Sequence, residues 1–425
     1  MQAPEVYDEE YINPFTDDDP VDWSPYKGVL YATDRQPAAD NDSQQSYLNK
    51  RGHLLRLGRA GIALGDNTLT WEEARRISLL KNRSEAYPLH VESVSEFGIL
   101  DRSIDVLMPE DILDDDSRAA ATEFAKLIND KLSISEVKDV YIYVHGYKVV
   151  FDNPILVAAE LWHFLGYEGA FIAYAWPSTP SRLAYMADIE TAHYSARNLR
   201  VLLTYLAEET QAEKIHIIGY SAGTRVVLTA LGQLTLENKH LETDAIREKL
   251  RIGHVILTGS DHDRDIFGSY LDEGLLRICE NLTLYMSVED QALGVSRFIF
   301  SRNRLGQTAA SGEWDPAVIQ YLRENRELTI VDVSDAQSAT AGNGHAYFRG
   351  SPWVSSDILM SLRYDLSPED RGLVVDHERQ LWTFPTDYVE RLQTELKQRF
   401  QDDKPQLSSA VRQPEETSRG LGYGL

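Results

Sequence analysis

The sequence predicts an α/β fold built on a mostly parallel, doubly wound sheet, and three observations predict it. Apolar runs of strand length alternate with longer amphipathic stretches from about residue 118 to 333. At one strand-to-helix junction, Ile215-His216-Ile217-Ile218-Gly219-Tyr220-Ser221-Ala222-Gly223-Thr224-Arg225, a serine stands between two glycines. That G-x-S-x-G spacing suits a sharp turn that lifts a hydroxyl clear of a sheet. Finally, 425 residues with 43% hydrophobic and 26% charged side chains fit one large domain of about 250–300 residues with additions, rather than several equal ones.

Taken in order, residues 1–27 are rich in Asp and Pro without periodicity and predict a poorly ordered leader. Residues 28–400 are expected to form the domain, and 401–425, rich in Ser, Gln and Gly, a disordered tail. Segments 28–33 and 90–97 read as strands, and 54–64 as a mixture of loop and strand. They are expected to supply antiparallel strands ahead of the alternating pattern. That pattern runs helix 118–132, strand 137–144, helix 154–165, strand 170–175, helix 188–208, strand 214–218 and helix 222–236. Strands 254–258, 281–286 and 327–333 follow, and 378–400 reads as one terminal amphipathic helix.

Composition narrows the function classes. A formal net charge of -25 argues against a nucleic-acid backbone or an anionic membrane as the main partner. It favours a neutral or cationic small-molecule substrate. No run of about 18 apolar residues is present, so no transmembrane segment is predicted. Cys279 is the single cysteine, which excludes an intramolecular disulfide and a cysteine metal cluster and reads as a small buried apolar side chain. Met1 to Glu5 lack the apolar run of a secretion signal. The chain reads as cytoplasmic if Met1 is native, and as exported if a signal peptide has been removed. Nothing in the sequence sets an oligomeric state.

In such sheets ligands bind beyond the C-terminal ends of the strands. After strand 137–144 comes His145-Gly146-Tyr147-Lys148. The Tyr147 amide, with that of Ala222, could form an oxyanion hole. His145 reads as a bracing residue, because the hole uses amides rather than a ring. After strand 281–286, Asp290 reads either as a helix N-cap or as the acid that orients a histidine, with Glu289 its nearest rival. Asp261 and Asp263 offer another acid one strand end away. Together with Asp265 they resemble a set of oxygen ligands, but they lack the Gly and distal Glu of a calcium loop. His240, His254, His262, His345 and His377 follow the serine, and His345, on the glycine-bearing loop Ala341-Gly342-Asn343-Gly344, is the best placed to reach it. Trp176, with Tyr147 and Tyr220, could wall an apolar pocket, although Trp176 could equally fill core at a proline turn.

Several of these segments together resemble a known group: Val144-His145-Gly146-Tyr147, Ala175-Trp176-Pro177-Ser178, His216 to Gly223, Asp261 to Asp265, Ser287 to Leu293 and Gly344-His345-Ala346-Tyr347-Phe348. They look like the esterase/lipase-like α/β-hydrolases catalogued as domain of unknown function 900, over roughly residues 90–365. The resemblance implies an α/β-hydrolase fold with Ser221 as nucleophile, His345 as base and Asp290 as acid. The elbow departs from the His-Ser-Met-Gly form common in that branch by carrying Tyr220 and Ala222, which bears on the pocket wall. The expectation is ester hydrolysis through a Ser-Asp-His triad and an acyl-enzyme, with no cofactor or metal. A noncatalytic binding module on the same fold, or an amidase or acyltransferase using the same triad, are the alternatives.

Overall fold

The computed structural model describes residues 3–7, 12–39, 45–65, 69–80, 87–106, 108, 115–181, 184–287, 290, 305, 316–339 and 344–401. One sheet organises them. Its strands are β1 (Val29–Pro37), β2 (Tyr47–Leu64), β3 (Leu89–Ile99), β4 (Val140–Val144), β5 (Ala170–Tyr174) and β6 (Ile215–Tyr220). They continue with β7 (Ile252–Thr258), β8 (Cys279–Met286), β9 (Leu328–Asp332), β10 (Val374–Asp376) and β11 (Leu381–Thr383). The spatial order is β10-β11-β9-β8-β7-β6-β4-β5-β1-β2-β3. From β1 across to β11 every pairing is parallel. Antiparallel strands close both edges, β2 and β3 at one and β10 at the other.

Burial explains the division. Every residue of β4, β5 and β7 is buried, as expected of parallel strands covered by helices on both faces. Their continuous apolar runs are what make the alternating pattern readable. β3 instead exposes much of its length and lies at the edge. The long β2 had read as part loop because charged residues and glycines break its alternation. Pairing with β1 and β3 makes it a strand throughout.

Two expectations need correction. Residues 3–7 and 12–27 are packed rather than a loose leader. Tyr7 is fully buried and its hydroxyl donates to the Phe164 carbonyl at 2.6 Å. Tyr26 stacks on Trp162 with ring centroids 5.9 Å apart. Scattered contacts, Phe15 against Trp71 and His163 and the Thr16 carbonyl to Trp71 among them, hold this segment and leave no periodicity to read. The terminal helix is also shorter than expected, spanning Tyr388–Gln401. Residues expected as its first turns form β11, where Trp382 and Thr383 pair with Val331 and Asp332, and Pro385 separates strand from helix. The predicted tail from 402 onward lies outside the described residues.

If the leader is integral, Tyr7→Ala should lower stability by about 3–5 kcal/mol, the cost of deleting a buried aromatic ring. Equilibrium denaturant unfolding measures it. An unchanged midpoint would return the segment to a loose leader.

Candidate active site

Ser221 follows directly on β6 and holds a left-handed backbone, φ 52°. Such a conformation costs a non-glycine residue about 1–3 kcal/mol, and its surroundings hold it there. The Ser221 N–H donates to the Thr258 carbonyl of β7 at 3.0 Å. The Ser221 carbonyl accepts the Thr224 amide at 3.0 Å and the Thr224 hydroxyl at 2.6 Å. Two glycines make the approach possible. A Cβ at Gly223 would lie 2.3 Å from the His145 carbonyl oxygen, and one at Gly146 would lie 2.9 Å from Ser221 Cβ. The turn and the loop after β4 therefore touch backbone to backbone.

His345 and Asp290 meet this serine from the ends of β9 and β8. His345 Nε2 lies 2.8 Å from Ser221 Oγ, and its Nδ1 lies 2.7 Å from Asp290 Oδ2. With Nδ1–H donating to the carboxylate, Nε2 is left to accept the serine proton. All three residues are buried, at 4%, 7% and 2% exposure for Ser221, His345 and Asp290. The imidazole also rests on Gly259, where a Cβ would stand 3.0 Å from Cε1. Tyr220 covers it from another side, with ring centroids 5.2 Å apart.

The rival groups are committed elsewhere. Asp261 accepts hydrogen bonds from the Tyr185 hydroxyl and, at 3.1 Å, from Arg225 Nε. Asp263 caps the helix Arg264–Asp272, accepting from the Asp265 and Ile266 amides. Asp265 is exposed beside Arg264, so these carboxylates do not converge on one point. His254 lies near the start of β7 and bonds Asp365 at 2.8 Å, at the opposite end of the sheet from Ser221. His262 stacks on Tyr270, and His240 and His377 are exposed. Glu289 and residues 341–343 lie outside the described residues, as does any helix that Asp290 could cap.

The loop after β4 is braced from below. His145 is 1% exposed and stacks on Trp176 at 5.3 Å. Its Nδ1 lies 2.6 Å from the Gly146 carbonyl and its Nε2 3.1 Å from that of Trp176. Two carbonyls favour a charged ring, but burial, reinforced by the Arg35 charge, outweighs them and lowers its pKa to about 3. The Trp176 indole N–H returns a bond to the His145 carbonyl at 2.6 Å. The tip, Tyr147, is half-buried. Among the described residues, neither the Tyr147 nor the Ala222 amide donates a backbone hydrogen bond outside the regular helices and strands.

Residues 120–363 match the family described as alpha/beta hydrolase of unknown function (DUF900). The chain belongs to this α/β-hydrolase family. No curated protein matches it. A crystal structure of a C4-C4 SN3 tributyrin phosphonate inhibited by esterase B from Lactobacillus rhamnosis is similar over 63% of this chain and 79% of that one, with 12% identity and a TM-score of 0.30.

The match to the α/β-hydrolase family takes in β4 to β9 and with them Ser221, Asp290 and His345, while β1–β3 and the hairpin β10–β11 lie outside it. Among the described residues, no helix of this α/β-hydrolase is long and apolar enough to cross a membrane. Trp176, expected as pocket wall, is fully buried and takes the core alternative, because stacking and its indole bond commit it to His145. Gly259 escaped the sequence reading. Its signal was the Gly-Ser step that ends β7, at Gly259-Ser260.

His145 also shapes the pH dependence of stability. An unfolded imidazole takes up its proton near pH ~6.5, whereas this native ring does so only at about 3. Unfolding therefore binds a proton between those values, and stability falls as pH drops through them. His216, held low mainly by burial, acts in the same direction. His145→Gln should lose stability less steeply on acidification, by up to about 1.4 kcal/mol per pH unit. Urea unfolding at a series of pH values between 7 and 4 checks this, and parallel curves for the two proteins would contradict it.

Proposed function

We propose that the protein is a serine hydrolase acting on carboxylic esters. The observation that carries this reading is the unbroken relay from Ser221 Oγ through His345 to Asp290, at 2.8 and 2.7 Å, on a serine held at φ 52°. Such a chain of bonds is what a neutral hydroxyl needs to become a nucleophile near neutral pH.

Ser221 Oγ attacks the ester carbonyl while His345 Nε2 takes its proton. The Asp290 carboxylate keeps the ring in the productive tautomer and stabilises the imidazolium that forms. The Tyr147 and Ala222 amides receive the developing oxyanion. Collapse passes the proton from His345 to the departing alkoxide and leaves an acyl group on Ser221. Water, activated by the same imidazole, then releases the acid. Tyr220, half-buried beside the imidazole, supplies an aromatic wall for the acyl or alcohol part. A net charge of -25 suits neutral or cationic esters better than anionic ones. The commitments of Asp261 and Asp263 support Asp290 as the acid.

Three outcomes are expected from assays with a chromogenic ester panel graded by acyl length. Ser221→Ala should lose about 10^4-fold or more of turnover while remaining folded. Asp290→Asn should lose a few orders of magnitude, whereas Asp261→Asn and Asp263→Asn stay within about tenfold of wild type. Dialysis against a strong chelator should leave turnover nearly unchanged. Retained activity in a folded Ser221→Ala variant contradicts the reading, and a reversed order among the aspartates moves the acid to the end of β7.

A further inference from the structure

Resting on the serine-hydrolase reading, we propose that Tyr347 is the positioning residue of the relay: its hydroxyl fastens the ends of β7 and β8 to the segment that carries His345. The hydroxyl accepts the Gly259 N–H at 2.5 Å and donates to the Tyr285 carbonyl at 2.8 Å. One partner adjoins the residue that supports the serine, and the other lies on the strand that leads to the acid. Gly259 follows Thr258, the last residue of β7, whose carbonyl receives the Ser221 N–H. Tyr285 is the penultimate residue of β8, and Asp290 comes shortly after that strand ends at Met286. Tyr347 itself begins the short helix just past His345. One side chain thus joins the serine's support, the acid's strand and the histidine's segment.

The strand register explains why a hydroxyl is needed there. Pairing of β7 with β8 ends at Thr258 opposite Tyr285. The next amide, that of Gly259, has left the ladder with φ 54°. A buried N–H without a partner is costly, and Tyr347, 1% exposed, supplies one. Gly259 is also the surface on which the imidazole rests, since a Cβ there would stand 3.1 Å from His345 Nδ1 and 3.6 Å from Asp290 Oδ2. Fixing Gly259 therefore fixes how the ring sits between carboxylate and serine. A tyrosine that merely filled core would need a single partner for its hydroxyl. Here both bonds go to backbone, one just past the end of β7 and one within β8. Phe348, 4.8 Å from Tyr220 between ring centroids, and Arg349, paired with Glu160 at 2.6 Å, secure the same segment from the side.

The test compares full-length wild type, Tyr347→Phe and Tyr7→Phe. The last deletes an equally buried hydroxyl, in the leader and bonded to Phe164. Each is reacted with excess fluorophosphonate, giving the number of reactive serines per chain and the labelling rate per reactive serine. Loss of positioning should leave about one reactive serine per chain and slow labelling of each by about 10- to 100-fold in Tyr347→Phe. Tyr7→Phe should stay within about twofold of wild type. A purely structural role would lower the number of reactive serines without slowing those that remain. That result, or a Tyr347→Phe rate equal to wild type, overturns the proposal. Should Tyr347→Phe fail to fold, 4-aminophenylalanine at position 347 keeps the ring and a donor for the Tyr285 carbonyl but is a poor acceptor for the Gly259 amide; slower labelling per reactive serine supports the proposal and an unchanged rate overturns it. Wild type that forms no Ser221 adduct removes the serine-hydrolase reading and this proposal together, whereas a labelled wild type matched by Tyr347→Phe removes this proposal alone.

Discussion

Ser221 keeps its left-handed backbone because the loop after β4 and the end of β7 come close enough to hold it, and the rest of the site depends on that contact. The strain of about 1–3 kcal/mol is offset by hydrogen bonds from the elbow to Thr258 and Thr224, each contributing about 0.5–1.5 kcal/mol. The Thr258 bond exists only if β6 and β7 stay in register, and the close approach of Gly223 to the His145 carbonyl only if β4 and β6 do. The register is in turn set by strands buried on both faces, where a one-residue slip would exchange every side chain between two filled layers. The parallel centre of the sheet and the elbow are one mechanical unit. The packed leader and the antiparallel edges widen it without contributing to the relay.

Polar groups buried around this unit have separate assignments, and the separation gives Asp290 its place. Asp261 is tied to Arg225 and Tyr185, and Asp263 to a helix N-terminus. Beneath β8, Asp357 pairs with Arg371 at 2.7 Å and accepts the Tyr285 hydroxyl at 2.5 Å. Removing one member of such a buried pair costs about 3–5 kcal/mol because the other charge is stranded. The strand that leads to Asp290 is thereby anchored twice at Tyr285, by its hydroxyl to Asp357 and by its carbonyl to Tyr347. His145, kept neutral by burial and the Arg35 charge, braces the loop after β4.

Much of this was legible in the sequence, and the exceptions share a cause. The central strands were readable because parallel strands are continuous apolar runs, and the elbow because its glycines are required by contact. His345 was favoured over the four other histidines that follow the serine by its glycine-bearing loop after the last strand, and it lies next to Ser221. Tertiary anchoring was not legible. Tyr7 and Tyr26 hold the leader through contacts to Phe164 and Trp162, far along the chain, and Trp176 is a brace. The bridging role of Tyr347 exists only once β7 and β8 are side by side. Some local signals went unread: Thr70 and Glu73 form a capping box for the helix Trp71–Leu79, and Ser351-Pro352 opens the helix Pro352–Tyr364.

The proposed function rests on one serine, held in this elbow and bonded to His345, acting as nucleophile. Peptide mass spectrometry of the full-length chain after reaction with an organophosphonate tests it most directly. The account predicts a single adduct, on Ser221, that forms with wild type and disappears in His345→Gln. An adduct on another serine, or an undiminished Ser221 adduct in His345→Gln, would contradict it.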